Sequence, residues 1–343
     1  MKKKVVLAML LASVLSTTAS TTYADARDDE IRDLRFRVNN LERANRSGYD
    51  RSYNRFSDRF SFNGEFRFSY WNDKEAVDDN FGQLELRLLP TIRIDDNLSI
   101  KARITGTYAD ALDNADEDDV SMDYAYIEGI YDKFQINVGK LPLSTHADRS
   151  PSGSMIADEE ICDLTGAQFI TGDETKIYAT AGRRAARSNY FAAEVTHEFT
   201  DQLTAGAGYH FFDTANDVSI GAIGAEYTLN DDWKLYGAIA HNFDANNHKT
   251  AYNFEATYLE ADPNIKSSWG AYAAYRNITN NIAAGTSGYE TFRRTFNKKG
   301  FEIGASWIPI RDTMLKISYF DGKFINVIDD DDRVLYLRGS VFF

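Results

Sequence analysis

From Arg59 onward apolar and polar residues alternate with a period of two. Phe60, Phe62, Gly64, Phe66, Phe68 and Tyr70 interleave with Arg59, Ser61, Asn63, Glu65, Arg67 and Ser69, so an extended backbone carries aromatics on one face and charge on the other. The pattern recurs at Leu84, Leu86, Leu88, Ile92 and Ile94 against Glu85, Arg87, Thr91 and Arg93. A third run sets Leu98, Ile100, Ala102, Ile104 and Tyr108 against Ser99, Lys101, Arg103 and Thr105. Pro90 lacks an amide donor and predicts a bulge in the second run.

The connections alternate in length. Short turns recur at Asp95-Asp96-Asn97, Asp132-Lys133, Gly172-Asp173-Glu174, Asp201-Gln202, Asp231-Asp232, Pro263-Asn264 and Arg311-Asp312, with longer polar loops between them. This rhythm predicts strands over 59–71, 82–94, 98–108, 120–131, 134–140, 165–171, 175–183 and 189–199. Eight more follow at 203–213, 218–229, 233–243, 250–261, 266–276, 299–309, 313–322 and 333–343. Sixteen strands bring both ends of the array out on the short-turn side. Residues 277–298 leave an alternative open, since a hairpin around Tyr289–Phe296 would raise the count to eighteen.

Two-faced strands of this kind suit a soluble barrel with an apolar interior or a membrane barrel whose apolar face meets lipid. Arg and Lys at mid-strand cannot sit on a dry inner face. Strands of about ten residues with charge on every second position fit the membrane barrel. The mean hydropathy of −0.44 agrees, because lumen and loops are polar and mask the apolar stripe. The fold class expected is all-β, a 16-stranded antiparallel transmembrane β-barrel with a short N-terminal periplasmic helix.

Ahead of the strands lie three further segments. Residues 1–24 read as a signal peptide: Lys2, Lys3 and Lys4 precede an apolar run from Val5 to Leu15, followed by small residues up to Ala24 and Ala26. Residues 25–44 hold Ile31, Leu34, Val38 and Leu41 at heptad a and d spacing, a coiled-coil signal of two heptads that needs partner chains to be stable. Residues 45–58, with Arg46, Arg51 and Arg55, read as a linker, leaving 59–343 for the barrel. Residues 25–58 could alternatively bind a cell-wall polymer and tether the barrel to it.

The chain ends in mid-strand. Leu335, Leu337, Gly339, Val341 and Phe343 share one face, and the termination Gly339-x-Val341-x-Phe343 resembles the C-terminal signal by which the barrel-assembly machinery recognises outer-membrane barrels. With the strand rhythm, the export signal and one long loop from Leu141 to about Leu164, residues 59–343 resemble the trimeric 16-stranded general porins, in particular those with a short N-terminal coiled coil. The resemblance implies a homotrimer in the outer-membrane lipid of a diderm bacterium. It also implies a water-filled channel for passive diffusion of small hydrophilic solutes and ions, and a loop after the fifth strand that folds inward. Asn137-Val138-Gly139-Lys140-Leu141 is similar to the family's exit from that strand, with Lys140 replacing Arg.

Parity assigns the pore lining. Arg67, Arg87 and Arg103 fall on the polar faces of strands one to three, and Arg338 on that of strand sixteen, which closure sets beside strand one. Lys101 and Arg93 lie below them. Together they form a candidate basic wall, and Asp158, Glu159, Glu160 and Asp163 of the long loop form an acidic counterpart. In the alternative, these arginines pair with Glu65 and Glu85 and merely fill the lumen. Acidic loops at Asp116–Asp119 and Asp329–Asp332 would enrich cations at the outer mouth. An arginine ladder for phosphate or other anions, or a sugar slide using Tyr236 and Tyr272, are the selective alternatives.

Charge and composition narrow the remaining classes. With 38 Lys+Arg against 52 Asp+Glu, no nucleic acid is expected as partner. Cys162 is alone, so no intrachain disulfide or thiolate metal site can form. No Gly-x-Ser-x-Gly elbow occurs, and parity turns His197 and His241 away from the lumen. Ser154, His146 and Asp148 share the long loop without triad spacing, and the run from Asp113 to Asp119 lacks the Gly and distal Glu of an EF-hand loop. Neither an enzyme, nor a cofactor, nor a metal is expected.

Overall fold

The computed structural model describes residues 59–74, 78–111, 115–142, 153–156, 164–184, 188–214, 217–282, 289–292, 297–325 and 331–343. The signal segment, the heptad residues Ile31, Leu34, Val38 and Leu41, the linker, Cys162 and the loop acids Asp158, Glu159, Glu160 and Asp163 lie outside the described residues.

Sixteen strands form the barrel. The first half comprises β1 (Phe60–Lys74), β2 (Asp78–Arg93), β3 (Leu98–Ala111), β4 (Ala115–Tyr131), β5 (Phe134–Leu141), β6 (Leu164–Thr171), β7 (Thr175–Arg184) and β8 (Asn189–Thr200). The second comprises β9 (Leu203–Asp213), β10 (Val218–Thr228), β11 (Trp233–Asn242), β12 (Thr250–Tyr258), β13 (Trp269–Ile278), β14 (Lys298–Ile310), β15 (Thr313–Phe324) and β16 (Asp331–Phe342). Each pairs antiparallel with its sequence neighbours, and β16 returns to β1, so no open edge remains. Closure satisfies the backbone without help from solvent, which is what hydrocarbon demands.

Directly paired residues share a face, and the faces are inverted relative to a water-soluble protein. On β1, Phe62 and Phe66 are each 46% exposed, whereas Glu65, Arg67 and Ser69 are 7%, 5% and 0% exposed. The same division runs around the wall: Leu86, Met122, Ile223, Phe301 and Val341 face out, while Glu85, Arg87, Arg103, Glu128, Asn253, Arg276 and Glu302 are buried inside. The predicted alternation therefore holds, with the polar stripe in the lumen.

Three of the short turns share one device, a side-chain oxygen that closes a local loop by accepting backbone amides. Asp95 Oδ1 accepts from Asn97 and Leu98, Thr200 Oγ1 from Gln202 and Leu203, and Asn230 Oδ1 from Asp232 and Trp233. The connection expected as a tight turn at Pro263-Asn264 is longer. β12 stops at Tyr258 and β13 starts at Trp269. Left-handed Leu259 and Ser267 bend the chain out of strand geometry, and the segment bonds to β14 through Ser267 N and Ile308 O instead.

Three further expectations are corrected. Pro90 makes no bulge: it stays in register opposite Phe62, and the β2–β3 register is the same on both sides of it. A mid-strand bulge lies instead between β3 and β4, where the register shifts between Arg103 and Ile104, and the register also shifts near the turns at Glu198/Thr200 and Trp307/Ile310. Among its described residues the 277–298 segment holds a 3-10 turn at Glu290–Phe292, where the eighteen-strand alternative needs a strand, and Thr291 and Phe292 are buried. Finally, Asp332 is not an exposed loop acid: it is fully buried at the start of β16, 2.7 Å from Lys298 Nζ.

The C-terminal residue closes the seam. Gly64 N donates to Phe343 O at 2.8 Å and Phe343 N donates to Gly64 O at 3.1 Å. The Phe343 ring covers Gly64, where a Cβ would collide with its Cζ. Within the long loop after β5, helix α1 (Gly153–Ile156) touches β12, across the lumen from the loop's own strands. Met155 and Ile156 join a buried cluster with Ala222, Ala238, Ala240 and Ala251, small residues of β10–β12 that let another segment approach the wall.

Candidate pore lining

Residues two apart on a strand lie on the same wall, so opposite charges at that spacing meet. On β1, Arg67 Nη2 lies 3.0 Å from Glu65 Oε2; on β2, Arg87 Nη2 lies 3.2 Å from Glu85 Oε1. Arg67 also reaches Glu85 across the strand pair at 3.6 Å. Closure brings in Arg338 of β16, whose Nη2 is 2.6 Å from Glu65 Oε1 and whose Nη1 is 3.3 Å from Glu290 of the β13–β14 connection. The result is one chain of alternating sign across β2, β1 and β16: Arg87, Glu85, Arg67, Glu65, Arg338, Glu290.

Arg103 continues this wall on β3. At the bulge, Asp123 and Tyr124 both oppose Arg103. Asp123 Oδ2 accepts from Arg103 Nε and Thr105 Oγ1, both at 2.6 Å, and its Oδ1 accepts from Ser121 at 2.6 Å. The guanidinium also lies 5.2 Å from the Tyr124 ring centroid. Lys101 pairs with Glu128 at 2.7 Å. Arg93 is exposed at the turn end of β2.

The structure thus gathers Arg67, Arg87, Arg103 and Arg338 on one side of the lumen and interleaves them with acids of the same wall. Alternation with the outward Val120 and Met122 already turns Asp123 inward beside Ser121; what sequence did not show is Tyr124, which the same alternation sends outward and only the bulge brings in opposite Arg103. Glu290 sits in a loop whose path carries no periodic signal.

A second network spans β12–β15. Arg276 donates from Nη1 to Asn253 Oδ1 at 2.7 Å and lies 2.7 Å from Glu255 Oε2 and 3.2 Å from Glu302 Oε1. Its guanidinium stacks 3.8 Å from the centroid of Tyr289. Glu302 further accepts from Tyr272 Oη at 2.6 Å and from Thr291 Oγ1. Trp71 Nε1 donates to Glu290 O, and Phe292 meets Phe320 edge-on at 4.8 Å. These contacts hold the β13–β14 connection inside the barrel. Burial pushes the Tyr289 phenol well above its usual pKa, so the ring stays neutral beside the cation. Parity alone could have located Arg276 and Glu302, which alternate with the outward Tyr275 and Phe301.

Tyr272 and Tyr236 both face the lumen, but they do not make a file. Tyr272 lies against Gly304, its hydroxyl committed to Glu302 and Ser318, while Tyr236 stands two strands away opposite Glu226 and Glu255. His197 and His241 face outward beside Thr175 and Thr250. Inside, His210 Nδ1 is 2.8 Å from Tyr190 Oη, and Nε2 is 3.6 Å from Glu194. Among the described residues there is no group of three or more metal-ligating side chains.

No protein-family model and no curated protein matches the chain. Solved structures do. A variant of the Rhodopseudomonas blastica porin superposes with a TM-score of 0.57 at 14% identity, covering 83% of this chain and 100% of that one. A second variant of that porin gives 0.56 at 15% identity with the same coverage. A structure described for the asymmetric conductivity of engineered proteins gives 0.56 at 14%, again covering 83% and 100%. This chain has the fold of the sixteen-stranded porins.

Proposed function

We propose that this chain is an outer-membrane porin, a water-filled channel for passive diffusion of small hydrophilic solutes and ions. The observation that carries the proposal is the inversion of polarity in a closed barrel: large apolar side chains outside, charged ones inside. Purified chain reconstituted in a planar bilayer is expected to give stepwise conductance that scales with bulk salt conductivity. A chain that stays folded and dispersed without detergent, and gives no steps, overturns the proposal.

We assign the narrowing of the channel to the loop after β5. Helix α1 meets β12, and residues 157–163 join it to Leu164 at the start of β6. Asp158, Glu159, Glu160 and Asp163 fall in that joining stretch, so they are assigned to the lumen facing the wall of Arg67, Arg87, Arg103 and Arg338. Because that wall carries its own acids, the loop acids tip the balance toward cations. The assembly assigned is a homotrimer drawn together through residues 25–44, with residues 25–58 also able to hold the cell wall. Deleting 25–58 should leave conductance intact while abolishing cell-wall attachment; retained attachment removes the tethering role.

A further inference from the structure

Lys140 and Arg183 serve no purpose in the pore, since both face outward. Lys140 pairs directly with Thr165 and Thr165 with Arg183, so the two residues share one row of the outer surface with their backbones two strand spacings or roughly 10 Å apart, near enough for the flexible Lys140 side chain to swing from β4 toward Arg183. Each is one residue from the long-loop end of its strand, Leu141 on β5 and Arg184 on β7. Lys140 Nζ donates to the Met122 carbonyl at 2.6 Å, and Arg183 is exposed. Neither has an ion-pair partner among the described residues. The nearest acid along the row is Asp213, already held by Asn189 at 2.7 Å.

Immediately below this row the wall is hollow. Ala167 pairs with Ala181 and Ala179 with Ala193, giving a floor of four outward alanines flanked by the rings of Phe169 and Phe191. The groove is open to the surroundings along its length and has a volume of about 460 Å³. A floor of methyl groups between aromatic walls suits a hydrocarbon chain, and two cations at its outer end suit the phosphate of the same molecule. The net charge of −14 makes two outward cations without an ion-pair partner among the described residues a local exception.

We propose that β5–β8 carry a specific lipid site, in which Lys140 and Arg183 hold the phosphate monoester of an acidic lipid and its acyl chain lies along the alanine groove. The proposal rests on the membrane-barrel reading, because only then does this surface meet lipid.

Native mass spectrometry of the detergent-solubilised full chain, titrated with phosphatidic acid or with phosphatidylcholine of the same acyl chains, tests it. Phosphatidic acid should bind at least about tenfold more tightly, and raising the ionic strength should cut that preference. Lys140→Gln with Arg183→Gln should erase it, and Ala181→Phe should weaken binding by filling the groove. Equal binding of the two lipids overturns the site, as does an undiminished preference in the double variant or unchanged affinity in Ala181→Phe. Conductance of each variant in a planar bilayer reports an intact barrel. A conducting protein without lipid preference refutes this site alone, whereas lipid preference without conductance counts against the channel alone.

Discussion

Arg276 is the side chain whose loss should be felt most. It is 2% exposed, contacts Asn253, Glu255 and Glu302, and carries the Tyr289 ring on its guanidinium. Arg276→Met keeps the length of the side chain and removes the charge. Glu302, 3% exposed, is then left as a buried carboxylate supported only by Tyr272 and Thr291. Removing one partner of a buried pair costs about 3–5 kcal/mol, mostly the desolvation of the charge left behind. Loss of the desolvated ring contact adds about 2 kcal/mol, with overlap between the two. The expected destabilisation is therefore about 4–6 kcal/mol. Combining Arg276→Met with Glu302→Gln should restore about half or more, because the carboxylate still left without its cation, Glu255, is partly exposed rather than fully buried. Urea unfolding of the barrel in lipid vesicles, followed by tryptophan fluorescence, measures both. A single-variant loss under about 1 kcal/mol, or a double variant no better than the single, would refute the view that this network pins the β13–β14 connection inside the barrel.

Further outcomes follow from the same geometry. Asp123→Asn removes the acid that neutralises Arg103, so the reversal potential in a salt gradient should move toward anions; an unmoved or opposite value argues that the bulge has no electrical role. Glu159→Gln with Glu160→Gln should reduce any cation preference by the same assay, and an unchanged potential takes the loop acids out of the constriction. Gly64→Ala places a methyl group against the Phe343 ring and the Arg87 carbonyl, and should cost about 1–3 kcal/mol and slow closure of the β1–β16 seam. Refolding kinetics at parental rate would show that the terminal ring moves aside freely.

What the amino-acid order determined by itself is whatever depends on a repeat of two. The backbone in a strand turns successive side chains to opposite faces, so Phe62 and Phe66 must part from Glu65 and Arg67 whatever surrounds them. The strand count, the polar turns and the inward set of Arg67, Arg87, Arg103 and Arg338 follow from that local geometry. The Glu-x-Arg spacing of Glu65–Arg67 and Glu85–Arg87 already places those partners on one face. Only the tertiary structure decided what non-local contacts impose. A bulge depends on how two strands slide past one another, so Tyr124 turns inward beside Asp123, opposite Arg103, without a signature of its own. The 3-10 turn at Glu290–Phe292 is held by Trp71, Arg338 and Phe320, residues far away in the chain that closure alone brings near. Asp332, acidic in an acidic run, is buried because β14 delivers Lys298 beside it. Periodicity reports the face a residue occupies; the neighbour it meets there is set by register and by barrel closure.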